Sequence, residues 1–290
     1  MTNSDYLRAV PDGLYTLPAG SWAEEKLDYL NRFIKTFEKA MRKRWAQRNY
    51  IDLFAGPGKN IVDETKRILL GSPLIALTTQ FPFTGYYFVN NNSTEMEVLK
   101  QRCSASPLSD AVHMYTEDAN RIVDTIVGNI RQFSPNSLNL AFLDPFGLNL
   151  EWSTVAKLGS LKRCDLIIHY SQQGFSRYIQ KAHRAENVTK VDSFFGTDEW
   201  RNIYTAWCQE PGKRGLHREL IDLYKKRLKS LGYQEVAQPD EMLKEPLIRN
   251  KERNSPLYRL IFASKHPLGE KFWQEIIGRD LYGQKQMFYD

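Results

Sequence analysis

A glycine turn follows the first predicted strand, residues 50–54, of this 290-residue chain. The turn contains Gly56 and Gly58, and because glycine has no Cβ, the backbone there could approach a ligand closely. Asp52, within the strand, is placed to accept a hydrogen bond from a cationic or amine group. A tight strand-to-helix turn that binds nothing would show the same pattern.

The residues of this turn disfavour two phosphate-binding motifs. A P-loop requires Gly-Lys-Ser/Thr before a helix, whereas Gly58 and Lys59 are followed by Asn60, which lacks the hydroxyl that holds magnesium. A dinucleotide fingerprint requires a third glycine at the position where this chain has Ile61. The turn therefore suits a ligand without phosphates better than a pyrophosphate, and an oxidoreductase is disfavoured.

Two further aspartates follow later strands. Asp118, after the third predicted strand, could accept from the exocyclic amine of an adenine, cap the next helix, or do both. Asp144, after the fourth strand, precedes Pro145 and Phe146, so a rigid acceptor would lie beside a flat aromatic surface. That arrangement could hold an amine, an amide or a base in plane, and a turn initiated by Pro145 is the plain alternative.

Strands alternate with helices through the first 170 residues. The five predicted strands cover residues 50–54, 84–89, 111–116, 138–143 and 164–170, with helical segments between them. This alternation predicts an α/β fold in which helices cover both faces of a parallel sheet. Ligands of such sheets bind at the carboxyl ends of the strands, which is where the loops with the candidate residues would lie.

The two ends of the chain differ from this regular pattern. The prolines and glycines of residues 1–21 predict a loose segment without regular secondary structure. An amphipathic N-terminal helix is predicted to follow it. We predict one domain over residues 22–290, with a mainly helical insertion at about 174–245 before the last clear strand, residues 257–263.

The overall composition is that of a globular protein without a membrane span. Hydrophobic residues make up 42% of the chain, and no run approaches the length of a transmembrane helix. Cys103, Cys164 and Cys208 match neither a disulfide framework nor a zinc pattern, and the five histidines match no metal motif. We therefore expect a cytoplasmic protein with reduced thiols and without a bound metal.

Positive charge, +6 overall, is concentrated in two segments, residues 31–50 and 213–229. The candidates for nucleic-acid contact in these segments are Arg42, Lys43, Arg44, Lys225, Lys226 and Arg227. Two solvated helix faces would show the same charge pattern, and the composition does not decide between them.

The order of these loops resembles the Rossmann-like S-adenosylmethionine-dependent methyltransferases, and more narrowly the three-Cys-motif partner proteins, the TcmP family. The resemblance is carried by YIDLFAGPGKN (50–60), GSPLIAL (71–77), AFLDPFGL (141–148), FFGTDEW (194–200) and PLYRLIFASKHPLGEKFW (256–273). It implies a Rossmann-like methyltransferase sheet with helices on both faces, an N-terminal helix and a helical insertion before the last strands.

The resemblance also assigns roles to individual residues. The methionine part of S-adenosylmethionine would be lined by Asp52, Ala55, Gly56 and Gly58, and the adenine by Asp118 and Ala119. Asp144, Pro145 and Phe146 match the place where amino-directed methyltransferases hold the target nitrogen, although that motif usually has two prolines. A valine at Gly58 is expected to abolish cofactor binding without unfolding the protein.

The end of the second strand departs from the methyltransferase pattern. A carboxylate usually accepts there from both ribose hydroxyls, whereas this chain has Asn90, Asn91 and Asn92. Because hydrogen bonds to charged groups are stronger by about 1 kcal/mol, the site would bind the cofactor weakly, use Glu95 instead, or be lost. A loop that tolerates left-handed backbone would have the same composition.

Two functions follow from these observations. The first is methyl transfer to an oxygen or nitrogen acceptor, in a nucleic acid or a protein, with Asp144 orienting or deprotonating it and His169 and Tyr170 as secondary candidates. The second is a catalytically degenerate fold that serves as a nucleic-acid- or protein-binding partner subunit. The family resemblance implies a separate three-cysteine-motif protein as partner, and the sequence leaves the oligomeric state open.

Overall fold

Among the residues that the structure describes, seven strands form one large sheet, and three shorter strands form a small second sheet. The computed structural model describes residues 3–210, 215–234, 245–250 and 252–279. Within these ranges the strands are β1 (Leu17–Ala19), β2 (Arg48–Asp52), β3 (Lys59–Val62), β4 (Ile68–Leu70), β5 (Gly85–Val89), β6 (Val112–Tyr115), β7 (Leu138–Leu143), β8 (Cys164–Tyr170), β9 (Leu247–Asn250) and β10 (Ser255–Ala263). The α-helices are α1 (Trp22–Met41), α2 (Ser72–Leu77), α3 (Ser93–Cys103), α4 (Ala119–Phe133), α5 (Trp152–Gly159), α6 (Gln172–His183), α7 (Lys190–Phe195), α8 (Trp200–Gln209), α9 (Leu216–Ser230) and α10 (Pro267–Ile277).

The large sheet has the strand order β6-β5-β2-β7-β8-β10-β9. Strands β2, β5, β6, β7 and β8 are parallel, whereas β10 runs antiparallel to both of its neighbours. The chain moves outward from β2 through β5 to β6 and then crosses to β7 on the other side of β2. The strand order therefore reverses between β2 and β7, which is where open sheets of this kind form their ligand crevice.

Helices cover both faces of this sheet, and each face has its own core. Successive side chains of β7 alternate between the two cores: Leu140 and Phe142 pack on one side, and Ala141 and Leu143 on the other. The first core includes α1, α2, α3 and α10, and the second includes α4, α5 and the helices between β8 and β9. The structure thus confirms the predicted fold class, including the N-terminal helix.

The helical insertion consists of α6 to α9, which follow β8 directly. Within it Phe194 stacks on Tyr224 and meets Phe175 edge-on, and all three rings are almost fully buried. Its predicted end near residue 245 falls after residues 235–244, which lie outside the described residues, so the domain limits stay a prediction. Among the described helices, none combines the length and the apolar character needed to cross a bilayer.

Residues 3–20 pack against the domain, in contrast to the loose segment predicted for residues 1–21. Strand β1 pairs with β3, and β3 forms a hairpin with β4, although none of these strands was predicted from the sequence. Asp12 is 4% exposed and lies 2.9 Å from Arg102 Nε and 2.7 Å from Lys59 Nζ. These two buried cations hold residues 3–20 against the domain. Because Lys59 and Arg102 are far from Asp12 in the sequence, no local sequence pattern could predict the contact.

Candidate functional site

Two cavities lie next to each other at the carboxyl edge of the large sheet, and both are lined by Phe54, Gly56 and Phe146. One, of about 530 Å³, lies beyond the ends of β5 and β6, and we call it the β5–β6 cavity. The other, of about 410 Å³, lies beyond β7 and β8 and beneath the start of α1, and we call it the β7–β8 cavity. Both have the size of small-molecule sites in proteins.

The two glycines of the turn after β2 differ in their surroundings. Gly56 has φ +57°, and a Cβ added to it would meet nothing within 4 Å. Gly58 has φ +91°, and its Cβ would lie 2.9 Å from Leu99 Cδ1 and 3.2 Å from Leu74, both in the core. The expectation that a side chain at Gly58 leaves the fold intact is therefore wrong, and Gly56 is the position with free space toward the cavities.

Asp52 lies beneath the turn and lines neither cavity. It is fully buried, and the backbone N–H of Phe54 donates to its Oδ1 at 3.2 Å. Burial raises the pKa of Asp52 to about 7, and a hydrogen bond with Ser72 lowers it in part. The side chain of Asp52 points to the core under α2. Asp52 therefore supports the turn and does not face either cavity, in contrast to the predicted contact with a cofactor. Ala55, by contrast, lines the β7–β8 cavity.

A carboxylate does reach the end of β5, although not from the strand itself. Asn90 donates through Nδ2 to Glu95 Oε2 at 2.9 Å, and its own Oδ1 accepts from the Asn92 backbone at 2.9 Å. Asn90, Asn91 and Glu95 all line the β5–β6 cavity. The side chain of Glu95 thus sets a carboxylate in this cavity, next to the strand end where the chain has an amide.

Asp118 both caps a helix and faces the β5–β6 cavity. Its Oδ1 accepts from the Asn120 backbone at 2.9 Å, which fixes the carboxylate at the start of α4. The two roles left open by the sequence are therefore compatible. Ala119 is 5% exposed and packs into the core, so its side chain does not line the cavity.

Asp144 and His169 meet at the edge of the β7–β8 cavity. Asp144 Oδ1 lies 2.8 Å from His169 Nδ1, and Asp144 Oδ2 accepts a short hydrogen bond from the Lys26 ammonium. Burial alone would raise the pKa of Asp144, but Lys26 and His169 hold it well below its usual range. Asp144 is therefore an ionised carboxylate that orients its neighbours, and a poor base.

Lys26 is a site residue that the sequence analysis missed. It lies on α1, and its Nζ is 5.5 Å from the centre of the Tyr258 ring, which also lines the cavity. A signal was present, because Lys26 shares the buried stripe of α1 with Leu30, Phe33 and Phe37 at helical spacing. A lysine on the apolar stripe of an amphipathic helix requires a buried anion, and Asp144 is that anion.

His169, and not Tyr170, reaches the cavity. Its Nε2 is buried and has no hydrogen-bond partner among the residues that the structure describes, and its ring lies edge-on to Tyr258 at 4.3 Å. Tyr170 points to the opposite face, where its hydroxyl lies 3.0 Å from His217 Nδ1. Neighbouring residues of a strand face opposite sides, so only one of the two candidates can serve the site.

Phe146 projects from the loop after β7 and separates the two cavities. Its side chain is 71% exposed, which is unusual for a large apolar group, and Pro145 lines the β7–β8 cavity beside it. Gly147 follows with φ +65°, a conformation that L side chains rarely adopt. The loop thus presents one flat aromatic face next to Asp144, as the residue order predicted.

Neither of the two basic clusters lines these cavities. Arg42, Lys43 and Arg44 are exposed at the end of α1. In the other cluster, Lys225 lies 2.7 Å from Glu245, Lys226 lies 3.8 Å from Glu199, and Arg227 packs 4.5 Å from the ring of Trp152. The second cluster thus has acidic or aromatic neighbours within the protein, and Lys225 has the closest of them.

Comparisons with known proteins find similarity of fold. No protein-family model matches the chain, and no curated protein matches it. A solved protein of Legionella pneumophila is 14% identical over 57% of this chain and 75% of its own, with a TM-score of 0.42. The O-methyltransferase from a polyketide synthase multienzyme of Brevibacillus brevis, in complex with S-adenosyl-L-homocysteine, is 11% identical over 95% of this chain and 92% of its own, with a TM-score of 0.35.

A geranyl diphosphate methyltransferase solved with S-adenosylmethionine is 9% identical over 91% of this chain and 95% of its own, with a TM-score of 0.34. At these identities and TM-scores the similarity concerns the fold alone. The fold class of this chain rests on its own strand order and on the helices that cover both faces of the sheet.

Proposed function

We propose that this protein is an S-adenosylmethionine-dependent methyltransferase. The observation that carries the proposal is the pairing of Asp144 with His169 in a cavity that adjoins a second, cofactor-sized cavity across Gly56 and Phe146. In a sheet of this order, both cavities lie at the strand ends where ligands bind. The loop resemblance to methyltransferases supports the same function and, as part of the proposal, membership of the three-Cys-motif partner family.

The β5–β6 cavity has side chains suited to the adenosine part of the cofactor. Glu95 would accept from the ribose hydroxyls, and Asp118 would accept from the adenine amine. Gly56, with open space above its Cα, would allow the methionine part to lie against the turn. The polar residues of this cavity thus match the donors that a nucleoside offers.

S-adenosylmethionine, when bound, supplies an electrophilic methyl group, so the protein has to align the acceptor and remove its proton. His169 is the group suited to take that proton, because its buried Nε2 has no partner within the described residues. Asp144 Oδ1 lies 2.8 Å from the other ring nitrogen of His169, Nδ1, and Lys26 keeps Asp144 ionised. Phe146 and Tyr258 would pack against a planar acceptor that carries a hydroxyl or an amine.

A second candidate function is a non-catalytic partner subunit that binds a nucleic acid, a protein or a separate three-cysteine-motif protein. The observation that favours it is the amide of Asn90 at the strand end where a carboxylate is usual. Glu95, 2.9 Å from that amide, weighs against it because it restores a carboxylate to the cavity. The setting that fits either function is the cytoplasm, where the three free thiols would stay reduced.

Titration calorimetry with S-adenosylmethionine and S-adenosylhomocysteine tests the cofactor. Saturation at 100-fold over Kd should stabilise the protein by about 2.7 kcal/mol, which a thermal shift would detect. Labelled methyl groups should then pass into one of the nucleic-acid, protein or small-molecule fractions of a cell extract. Absence of binding at millimolar cofactor would overturn the proposal.

The variant His169→Gln separates catalysis from binding. It should bind the cofactor like the wild type but transfer methyl groups about 10²- to 10⁴-fold more slowly, the usual contribution of a general base. His183→Gln is the matched control, because His183 hydrogen-bonds Thr205 at the surface of the insertion and lines neither cavity. Equal transfer by wild type and His169→Gln would show that His169 takes no proton.

A further inference from the structure

A third cavity, of about 410 Å³, lies at the opposite, amino edge of the large sheet. It is formed where β2, β7 and β8 begin, with Trp45 before β2, Leu138 at the start of β7 and Arg163 before β8. Its apolar lining consists of Phe37, Met41, Trp45, Leu138, Leu268 and Phe272. The proposed methyltransferase site uses none of these residues.

Basic side chains surround the mouth of this cavity. Arg44, Lys162 and Arg163 line it, and Arg163 lies 4.5 Å from the ring of Trp45. Within the described part of the chain, no carboxylate lies within 4.0 Å of their charged groups. Arg42 and Lys43 are exposed on the same turn of the chain and add to the positive charge.

We call Arg44, Lys162 and Arg163 the amino-edge cluster. The lack of a nearby carboxylate among the described residues distinguishes it from the second basic cluster, Lys225, Lys226 and Arg227. Lys225 lies 2.7 Å from the buried Glu245, and Lys226 lies 3.8 Å from Glu199 at the surface, so each of these lysines has a carboxylate neighbour. The charges of Arg44, Lys162 and Arg163 remain available to an anionic partner. The positive electrostatic potential of such a cluster raises the local concentration of polyanions.

One carboxylate, Asp165, forms part of the wall inside the cavity and is 8% exposed. Lys265, which also lines the cavity, donates to the backbone oxygens of Gly159 and Leu161. Burial raises the pKa of Asp165 to about 7, and a hydrogen bond with Ser264 lowers it in part. A carboxyl oxygen of Asp165 can accept from an N–H group in either protonation state. The cavity therefore suits a flat, uncharged group with N–H donors, and the rim suits the negative charges next to it.

A nucleotide of a single strand combines these two properties. Unpaired bases stack on aromatic side chains, and the backbone follows a positively charged groove. We propose that the amino edge of the sheet binds single-stranded nucleic acid, with one base in the cavity against Trp45 and the adjoining phosphates at Arg44, Lys162 and Arg163. In a duplex the bases are paired and stacked inside the helix and cannot enter the cavity. A duplex would therefore contact only the basic residues at the cavity's rim.

Fluorescence anisotropy tests this surface on the full chain, without any need for methyl transfer. The probes are a labelled mixed-sequence single strand, as RNA and as DNA, and the matching duplex, each titrated over a series of salt concentrations. The single strand should bind more tightly than the duplex, with log K falling linearly as log salt rises. Absence of single-strand binding at low salt would overturn the proposal.

Two triple variants test the location of the charges. Arg44→Gln/Lys162→Gln/Arg163→Gln should reduce the salt slope for the single strand by about 2, since each phosphate contact contributes about 0.7. Lys225→Gln/Lys226→Gln/Arg227→Gln removes the same net charge from the paired cluster and should leave the slope unchanged. Equal effects of the two would mean that only the overall charge attracts the strand.

A third variant tests the base pocket. Trp45→Leu keeps the cavity apolar but removes the stacking surface, so single-strand affinity should fall by about fivefold or more with an unchanged salt slope. Its circular dichroism should match that of the wild type, and urea unfolding should show a modest loss of stability, because Trp45 is partly buried and packs against the core. Unchanged affinity in this variant would overturn the assignment of a base to the cavity.

Discussion

Asp144 and His169 stand side by side because Leu143 of β7 pairs with Ile168 of β8 in parallel register. Asp144 directly follows β7 and His169 is the next residue within β8, so Asp144 Oδ1 lies 2.8 Å from His169 Nδ1. Lys26 approaches the same carboxylate from α1. Residues from one helix and two neighbouring strands, Lys26, Asp144 and His169, thus form one cluster at the edge of the β7–β8 cavity.

Loss of Lys26 should destabilise the protein through Asp144. The two side chains are 17% and 18% exposed, so Lys26→Met leaves a largely buried carboxylate without its cation. We expect the free energy of unfolding at pH 7, measured with urea, to fall by about 3 kcal/mol. The double variant Lys26→Met/Asp144→Asn should recover much of that loss, because no charge is then left unpaired.

Lys157→Met is the control for this comparison. Lys157 lies 2.7 Å from Asp124, but these side chains are 35% and 66% exposed. An exposed pair contributes about 0 to 1 kcal/mol. If Lys26→Met cost no more than this surface variant, the pair with Asp144 would have no special stabilising role.

Glu95 should provide the charged acceptor for the cofactor ribose. Glu95→Gln keeps the size of the side chain but removes its charge, and calorimetry should show about tenfold weaker binding of S-adenosylmethionine. Glu97→Gln, on an exposed side of the same helix, should bind like the wild type. Asn90→Asp should also weaken binding, because it sets a second carboxylate against Glu95 where the amide now donates at 2.9 Å. Tighter binding by Asn90→Asp would contradict this assignment.

Alanine at Gly56 should mainly weaken cofactor binding, whereas alanine at Gly58 should mainly destabilise the fold. Gly56→Ala adds a methyl group in open space at φ +57°, so it should cost about 1 kcal/mol of stability and reduce cofactor affinity at least tenfold. Gly58→Ala, at φ +91° and 2.9 Å from Leu99, should cost about 3 kcal/mol of stability. Urea unfolding and calorimetry on both variants separate these effects, and normal binding by Gly56→Ala would exclude close approach of the cofactor to the turn.

Asp12 should make the stability of the protein depend on pH in acid. Burial would raise the pKa of Asp12, but hydrogen bonds from Arg102 and Lys59 lower it from 3.8 to about 2. A carboxyl whose pKa is lower in the folded state stabilises that state above the unfolded pKa. The contribution, about 2 kcal/mol, is therefore present above about pH 4 and is lost as the pH falls through 2.

The variant Asp12→Asn checks this contribution. It should be less stable than the wild type at pH 7, since Arg102 and Lys59 are buried without an anion. The difference in the free energy of unfolding should narrow between pH 4 and pH 2, because the wild type loses its carboxylate there. A constant difference across this range would show that the charge of Asp12 does not stabilise the fold.

The amino-acid sequence alone determined the alternation of strands and helices and the loops at the carboxyl edge. Both depend on local properties, namely the period of apolar residues, the glycines after β2, and the aspartates that follow strands. The placement of Asp118 and Phe146 at cavities followed from these loops. The hairpin of β3 and β4 was missed because its strands, of four and three residues, are too short to show a period.

Only the tertiary structure decided which face each candidate serves. Strands buried on both sides have no polar face, so the sequence could not show that His169 faces the cavity while Tyr170 and Asp52 do not. The contacts of Lys26 with Asp144 and of Asp12 with Arg102 join residues far apart in the chain. Such pairs arise from the packing of α1 and the N-terminal segment against the sheet, and local periodicity carries no information about which distant charge a buried charge will meet.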